Sequence, residues 1–282
     1  MCLAAFALGQ SPRFPFVLAS NRDEFFERGA EPMQWWPKIS TATPAILAGR
    51  DLDAGGTWLG LSSAGRLALL TNIRNPSEHR DMAASRGALV PEWLRGESGF
   101  ETFWARHDLT AYNGFNLLAF DWSAHAGGGT PPAPAGWYAS SRHPQPRTLA
   151  HGIYGLSNAE LDTPWPKVQA LRDAMARALS DATGGNALAD RLFAALADTQ
   201  IAPDDQLPST GVPLDAERAL SAAHVNLFNG RYGTRCSTVL ICERVDASWR
   251  TTVLERSFHP GNEPATQRQF ALPDWPPGVA TS

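Results

Sequence analysis

No stretch of the 282-residue chain approaches the roughly 20 consecutive apolar residues of a membrane span. Its start lacks the cationic segment and apolar run of a secretory signal, so the chain is expected to stay in the cytoplasm. Cysteine is scarce: Cys2, Cys236 and Cys242 are odd in number and lack metal-ligand spacing, which argues against a disulfide framework or a zinc site and for reduced thiols. Charge is scarce too, at 18% of residues and a net -4, leaving no basic field to hold a phosphate backbone and so no nucleic-acid partner. No internal repeat and no charged tail is present. What remains is 43% hydrophobic and long enough for one sizeable core. The expectation is a single domain over residues 1–260 and an irregular, proline-rich segment over 261–282.

Residues 2–8 and 14–20 read as two apolar strands of a hairpin turning about residues 11 and 12. A second strand pair, 57–61 and 67–71, flanks a turn at Ser62-Ser63-Ala64-Gly65. Helical patterns follow at 86–95 and 101–107, then strands at 115–120 and 136–140, joined across the glycine- and proline-rich loop 125–135, whose composition is that of a mobile linker. A strand at 152–156 leads to Asp162-Thr163-Pro164, a cap and first-turn proline for a helix over 164–182. Val168, Leu171, Met175 and Leu179 recur along it at spacings of three and four, the pattern of a helix laid on a sheet. A second such helix is expected at 187–198, and antiparallel strands at 234–243 and 249–256 about a turn near Asp246. Strands, then helices, then strands imply an α+β sandwich with helices covering largely antiparallel sheets.

If Met1 is removed, Cys2 carries a thiol and a free α-amine on one residue, with ordinary pKa values of about 8.5 and about 7.7–8.0. The amine can then serve as the base for its own nucleophile. A cysteine at this place is otherwise a small apolar strand residue. The expected hairpin sets Cys2 opposite Asn21, next to Arg22, Asp23 and Glu24. That polar cluster is either a solvated strand end or a site in which Asp23 orients the amine and Arg22 favours thiolate. Asn72 and Asn158 close strands as oxyanion donors or as turn formers. Arg235 opens an apolar strand and can bind a carboxylate or phosphate, or stand as a strand-end charge. Asn21, Arg22 and Arg235 are thus the substrate-binding candidates.

Several segments carry a resemblance: Met-Cys-Leu-Ala-Ala-Phe at the start, Ala19-Ser-Asn-Arg-Asp-Glu-Phe25, Gly55-Gly-Thr-Trp-Leu-Gly60, Leu70-Thr-Asn-Ile-Arg74, Tyr112-Asn-Gly-Phe-Asn-Leu117, Gly155-Leu-Ser-Asn158, Asp162-Thr-Pro-Trp-Pro-Lys167 and Tyr232-Gly-Thr-Arg235. Over about residues 1–245 the chain resembles the NRDE family, that of the transport-and-Golgi-organisation protein 2, which is similar to N-terminal-nucleophile acylases. The resemblance implies a four-layer αββα sandwich. It also implies an amidohydrolase of linear amides in which Cys2 attacks, Asp23 steadies the amine, and Asn72 and Asn158 form the oxyanion hole, with no metal or organic cofactor. The acylases carry arginine three residues before the aspartate, where this chain has Ser20. Arg22, adjacent to Asp23 on an extended strand, is expected to point away from the thiol. The resemblance also implies an alternative reading, a non-catalytic carrier of haem or a lipid-like ligand in the inter-sheet cleft. Tryptophans such as Trp35, Trp36 and Trp58 either line such a cleft or serve as core or interface packing.

Overall fold

In a computed structural model of the chain, which describes residues 2–123, 133–245, 248–273 and 275–277, the first two apolar runs form β1 (Cys2–Leu8) and β2 (Phe16–Phe25). They pair antiparallel, but β2 runs on through the whole polar cluster rather than ending before it. The chain then builds β3 (Ala30–Trp35), β4 (Ile46–Asp51), β5 (Leu59–Ser62) and β6 (Arg66–Asn72). Two short helices, α1 (Leu89–Arg95) and α2 (Phe100–Trp104), precede β7 (Phe115–Asp121), β8 (Ala135–Ser140) and β9 (His143–Thr148). Strands β3 to β9 lie in chain order in one seven-stranded antiparallel sheet.

Next come β10 (Gly152–Leu156), α3 (Pro166–Asp181), α4 (Gly185–Leu196), α5 (Leu214–Leu220), β11 (Asn226–Leu227), β12 (Tyr232–Val245), β13 (Ser248–Phe258) and β14 (Pro264–Pro273). They complete a second antiparallel sheet in the order β10-β1-β2-β12-β13-β14, with β11 beside β12. Phe6, Phe16 and Leu18 of this sheet meet Leu67, Leu69 and Phe120 of the other in a buried inner core. On its outer face Leu3, Ala5 and Val17 pack against Val168, Leu171 and Met175 of α3 and Leu192 of α4. Trp93, Phe100 and Phe103 of α1 and α2 cover Ala68, Phe115 and Leu117 on the outer face of the other sheet. The molecule is therefore a four-layer αββα sandwich, the architecture expected from the sequence.

Three expectations need correction. Residues 264–273 are not irregular: they form β14, which hydrogen-bonds along β13. Asp162 does not cap α3. It sits at φ 62° and accepts from the Gly155 amide (2.8 Å), while the helix begins at Pro166 with Trp165 as N-cap. A proline disfavours helical geometry in the residue before it, and Trp165 stands extended before Pro166, so no helix can start at Pro164. The third concerns the hairpin register, treated below. Most of the loop 125–135 and the turn at Asp246 lie outside the described residues. Among those described, no helix is long and apolar enough to cross a membrane.

Candidate active site

The β1–β2 ladder pairs Cys2 with Arg22 and Leu3 with Asn21, one residue away from the expected register. The reason is a loop centred on residue 12 rather than between 11 and 12, closed by the Gly9 amide donating to the Pro15 carbonyl (2.8 Å). Because side chains alternate along a strand, one step exchanges the faces of the polar cluster. Arg22 shares the inner face with Cys2 and does not point away from it. Asn21 turns outward beneath the helices, where its amide donates to the carbonyls of Leu196 and Ala223 (2.8 Å each) and its oxygen accepts from Ser237 (2.6 Å). Asn21 is thus a structural tie between the sheet and the helical layer, not a substrate contact.

Cys2 opens on a cavity of about 850 Å3 at the end of the sandwich where β1 begins and β2 and β6 finish. Burial pushes its thiol above the ordinary value, and Asp23 and Glu24 push the same way, while Arg22 opposes them. A thiol so placed needs a base before it can attack. Arg22 is itself almost fully buried; its guanidinium stacks 4.2 Å from the Trp58 ring centre and reaches Asp51 at 3.3 Å. Asp51 is the hub of this rim, held also by Arg28 at 2.7 Å. Asp23, 1% exposed, accepts from the Thr234 hydroxyl (2.8 Å), and its main-chain carbonyl accepts from the Tyr232 hydroxyl (3.2 Å). Its charge is sensed by Cys2, so the carboxylate and the sulfur belong to one electrostatic unit.

The two asparagines meet as well, though in unequal roles. Asn72, at the end of β6, lines the cavity. Asn158, 1% exposed and outside the lining, donates its amide to the Asn72 carbonyl (2.9 Å) and to Asn72 Oδ1 (3.0 Å). With its donors spent there, Asn158 orients Asn72, and of the two asparagines it is the Asn72 amide that faces the cavity. The neighbouring Ser157 hydroxyl donates to the Cys2 carbonyl (2.8 Å), which ties the start of β1 to the end of β10. Arg235 belongs elsewhere. Its guanidinium donates to the carbonyls of Phe25 (2.7 Å) and Arg28 (2.8 Å) and covers Phe26, so it closes a backbone turn rather than facing the cavity.

Sequence reasoning missed several groups. Arg86 donates to the Gly114 carbonyl (2.9 Å) and lines the cavity. Burial lowers its pKa, opposed by the charges of Glu24 and Cys2. Arg74 forms a buried pair with Glu217 of α5 at 2.6 Å. Lys167, though inside a quoted motif, signalled nothing beyond a helix start; it is buried behind the site with its pKa lowered by desolvation to about 8. Of the three candidate tryptophans, Trp58 lines the cleft. Trp36 instead joins the outer core against α1 and α2, and Trp35 is exposed. Among the described residues, no group of three or more His, Cys, Asp and Glu could hold a metal ion.

With this geometry in hand, comparison with known proteins is informative. The family model described as Transport and Golgi organisation 2 matches residues 1–260. The chain is 34% identical over 290 residues to the Transport and Golgi organization protein 2 homolog of Bos taurus, covering 96% of this chain and 99% of that one. It is 32% identical over 272 residues to the Transport and Golgi organization 2 homolog of Mus musculus, covering 92% and 93%. Among solved structures, an N-acylethanolamine-hydrolyzing acid amidase ortholog of Caenorhabditis elegans aligns over 85% of this chain and 92% of its own, at 11% identity and a TM-score of 0.45. The length of the family match and the near end-to-end mammalian alignments show that this chain belongs to the Transport and Golgi organisation 2 family.

Proposed function

We propose that the protein is an N-terminal cysteine amidohydrolase acting on linear amides. The observation that carries this reading is the opening of Cys2 and Asn72 onto one cavity, with Asp23 buried beside the start of β1. Once Met1 is removed, the Cys2 α-amine takes the proton from the thiol, and the thiolate attacks the amide carbonyl. The Asn72 amide donates to the oxyanion of the tetrahedral intermediate, and Asn158 holds that amide in place. Collapse breaks the carbon–nitrogen bond, the leaving amine takes the proton from the ammonium, and an acyl-thioester remains on Cys2. Water, deprotonated by the same amine, attacks the thioester; the carbon–sulfur bond breaks, the ammonium returns the proton to the Cys2 sulfur, and the acid is released. Arg22, directly opposite Cys2, stabilises the thiolate. These steps call on no metal or organic cofactor.

Intact-mass analysis with and without a p-nitrophenyl ester as acylating probe tests the reading. The expected result is a chain lacking Met1 that gains one acyl group, lost in Cys2→Ser. A retained Met1, or an adduct that survives Cys2→Ser, overturns it.

The second reading, a carrier of haem or a lipid-like ligand, draws on the cavity's volume of about 850 Å3 and on His79 and Cys2, which line it and offer axial ligands. The walls are mixed, with Trp58, Leu70, Ile73 and Val212 beside Arg22, Arg28, Asp51, Arg74 and Arg86, and the charged side chains disfavour a porphyrin face or an acyl chain. A Soret band that survives Cys2→Ser favours the carrier.

A further inference from the structure

The motif Gly55-Gly-Thr-Trp58 sets Trp58 beneath the Arg22 guanidinium, but its two glycines serve another end. Gly55 stands at φ 72°, a conformation other residues resist, and its amide donates to the Asp51 carbonyl (2.8 Å). Gly56 is pressed against the segment that leads into α1: an added Cβ would lie 2.4 Å from the Gly87 main chain. Across the same contact the Thr57 amide donates to the Gly87 carbonyl (3.1 Å). Two glycine backbones thus touch where side chains would hold them apart, and Arg86, beside Gly87, is carried into the cavity wall.

Arg86 is half-buried, and its Nη1 donates to the Gly114 carbonyl (2.9 Å). That carbonyl also accepts from the Ile73 amide (2.9 Å), so the bond orients the guanidinium without neutralising it. A guanidinium carries five N–H donors in a planar fork and keeps its charge. Among the described residues this one has no other hydrogen bond and no ion pair. None of its nitrogens is sealed away without a partner, so the unused donors look onto the space that Arg86 lines.

The other charges of the wall are committed. Arg22 and Arg28 share Asp51 (3.3 and 2.7 Å), Arg74 holds Glu217 (2.6 Å), and Glu78 holds Arg142 (2.9 Å). Glu24, whose charge Arg86 senses, accepts from the Phe25 amide (2.9 Å) and forms no ion pair with Arg86. Arg80 has no carboxylate either, but it is exposed, and water screens it. Arg86 is therefore the half-buried cation of this wall whose counter-charge the chain does not supply, a state completed by an anion arriving from outside.

We propose that Arg86 is a specificity-determining residue that binds a carboxylate of the substrate, so that the amides cleaved at Cys2 are anionic. The inference rests on the reading of Cys2 as the nucleophile and names the class of substrate for that site. The planar fork matches the two oxygens of a carboxylate, and Cys2 and Arg86 open on the same cavity of about 850 Å3. A ligand held at its charged end is thereby oriented with its carbonyl at the sulfur.

Acylation of Cys2, followed by release of the nitrophenol and by intact mass, tests this with matched esters. Mono-p-nitrophenyl glutarate, adipate and suberate carry a terminal carboxylate, and p-nitrophenyl valerate, hexanoate and octanoate are their neutral counterparts of equal chain length. A further ester, 3-carboxy-4-nitrophenyl hexanoate, places the charge on the leaving group. In wild type at least one charged ester reacts about tenfold faster than its neutral counterpart, the worth of one charge-assisted pair. Arg86→Gln erases that ratio, and Arg86→Lys, which keeps the charge without the planar fork, lowers it. Inorganic phosphate competes less than glutarate does at equal ionic strength. Ratios near one in wild type, or a preference that either folded variant leaves intact, overturn the role of Arg86 while the nucleophile reading stands. Stronger competition by phosphate overturns the choice of carboxylate. A Cys2 that no ester acylates overturns both readings.

Discussion

Asn158 donates its side-chain amide to both the main-chain carbonyl and the side-chain oxygen of Asn72, at 2.9 and 3.0 Å. The pair therefore divides the work of an oxyanion site between one residue that faces the cavity and one that fixes its orientation. Truncating the donor, Asn72→Ala, is expected to slow acylation of Cys2 by about 10²–10³-fold. Asn158→Ala leaves the donor in place but loose, with an expected loss of about 10²-fold. Burst kinetics with an activated ester measure both, and equal activity in Asn72→Ala and wild type would remove Asn72 from the mechanism.

Asn21, two residues before Asp23, belongs to the scaffold. Asn21→Ala leaves the carbonyls of Leu196 and Ala223 and the Ser237 hydroxyl without their partner. Each such loss costs about 1–3 kcal/mol, so a clear drop in the urea midpoint is expected, with Cys2 alkylation at the wild-type rate. A stable variant with altered thiol reactivity would return Asn21 to the site.

The Arg74–Glu217 pair joins the strand-end loop after β6 to α5, with both side chains about 5% exposed or less. Glu217 also accepts from the Thr210 amide (2.8 Å) and hydroxyl (2.6 Å). Glu217→Ala strands a guanidinium in low dielectric and is expected to cost roughly 3–5 kcal/mol in chemical denaturation. A cost below about 1 kcal/mol would show that Arg74 finds water once released.

The pH dependence of stability carries the mark of Lys167. Its folded-state value of about 8 lies below the ~10.4 of an unfolded lysine, so the unfolded chain binds more protons between those limits. Stability from this group therefore rises with pH from about 8 to about 10.4 and is lost as pH falls through that window. Lys167→Met removes the dependence and is expected to be the more stable protein at pH 7, by roughly 3 kcal/mol. Denaturation series at pH 7 and pH 10 check the sign; a variant less stable than wild type at both would contradict it.

Local chemistry made much of this molecule readable in one dimension. The apolar runs that became β1, β6, β7 and β12, and the amphipathic spacing of α3, each bury what their pattern says they should. Short or polar strands were not readable. His143–Thr148 is mostly exposed and Pro264–Pro273 carries a proline at each end, so pairing with β8 and β13, not composition, makes them strands. Lys167 escaped notice for a related reason: one lysine after a proline says helix start, and its burial depends on α3 docking over β1 and β10.

Residue types and their order already contain the apolar hairpin, the cysteine at the second position and the polar cluster twenty residues on. The direction in which each member of that cluster points is not written there, because β1 is buried on both faces along its whole length and shows no alternation of polar and apolar residues from which to read a register. Packing of one sheet face on the inner core and the other on α3 and α4 selects the pairing of Cys2 with Arg22. That choice alone sends Arg22 into the cavity and Asn21 beneath the helices.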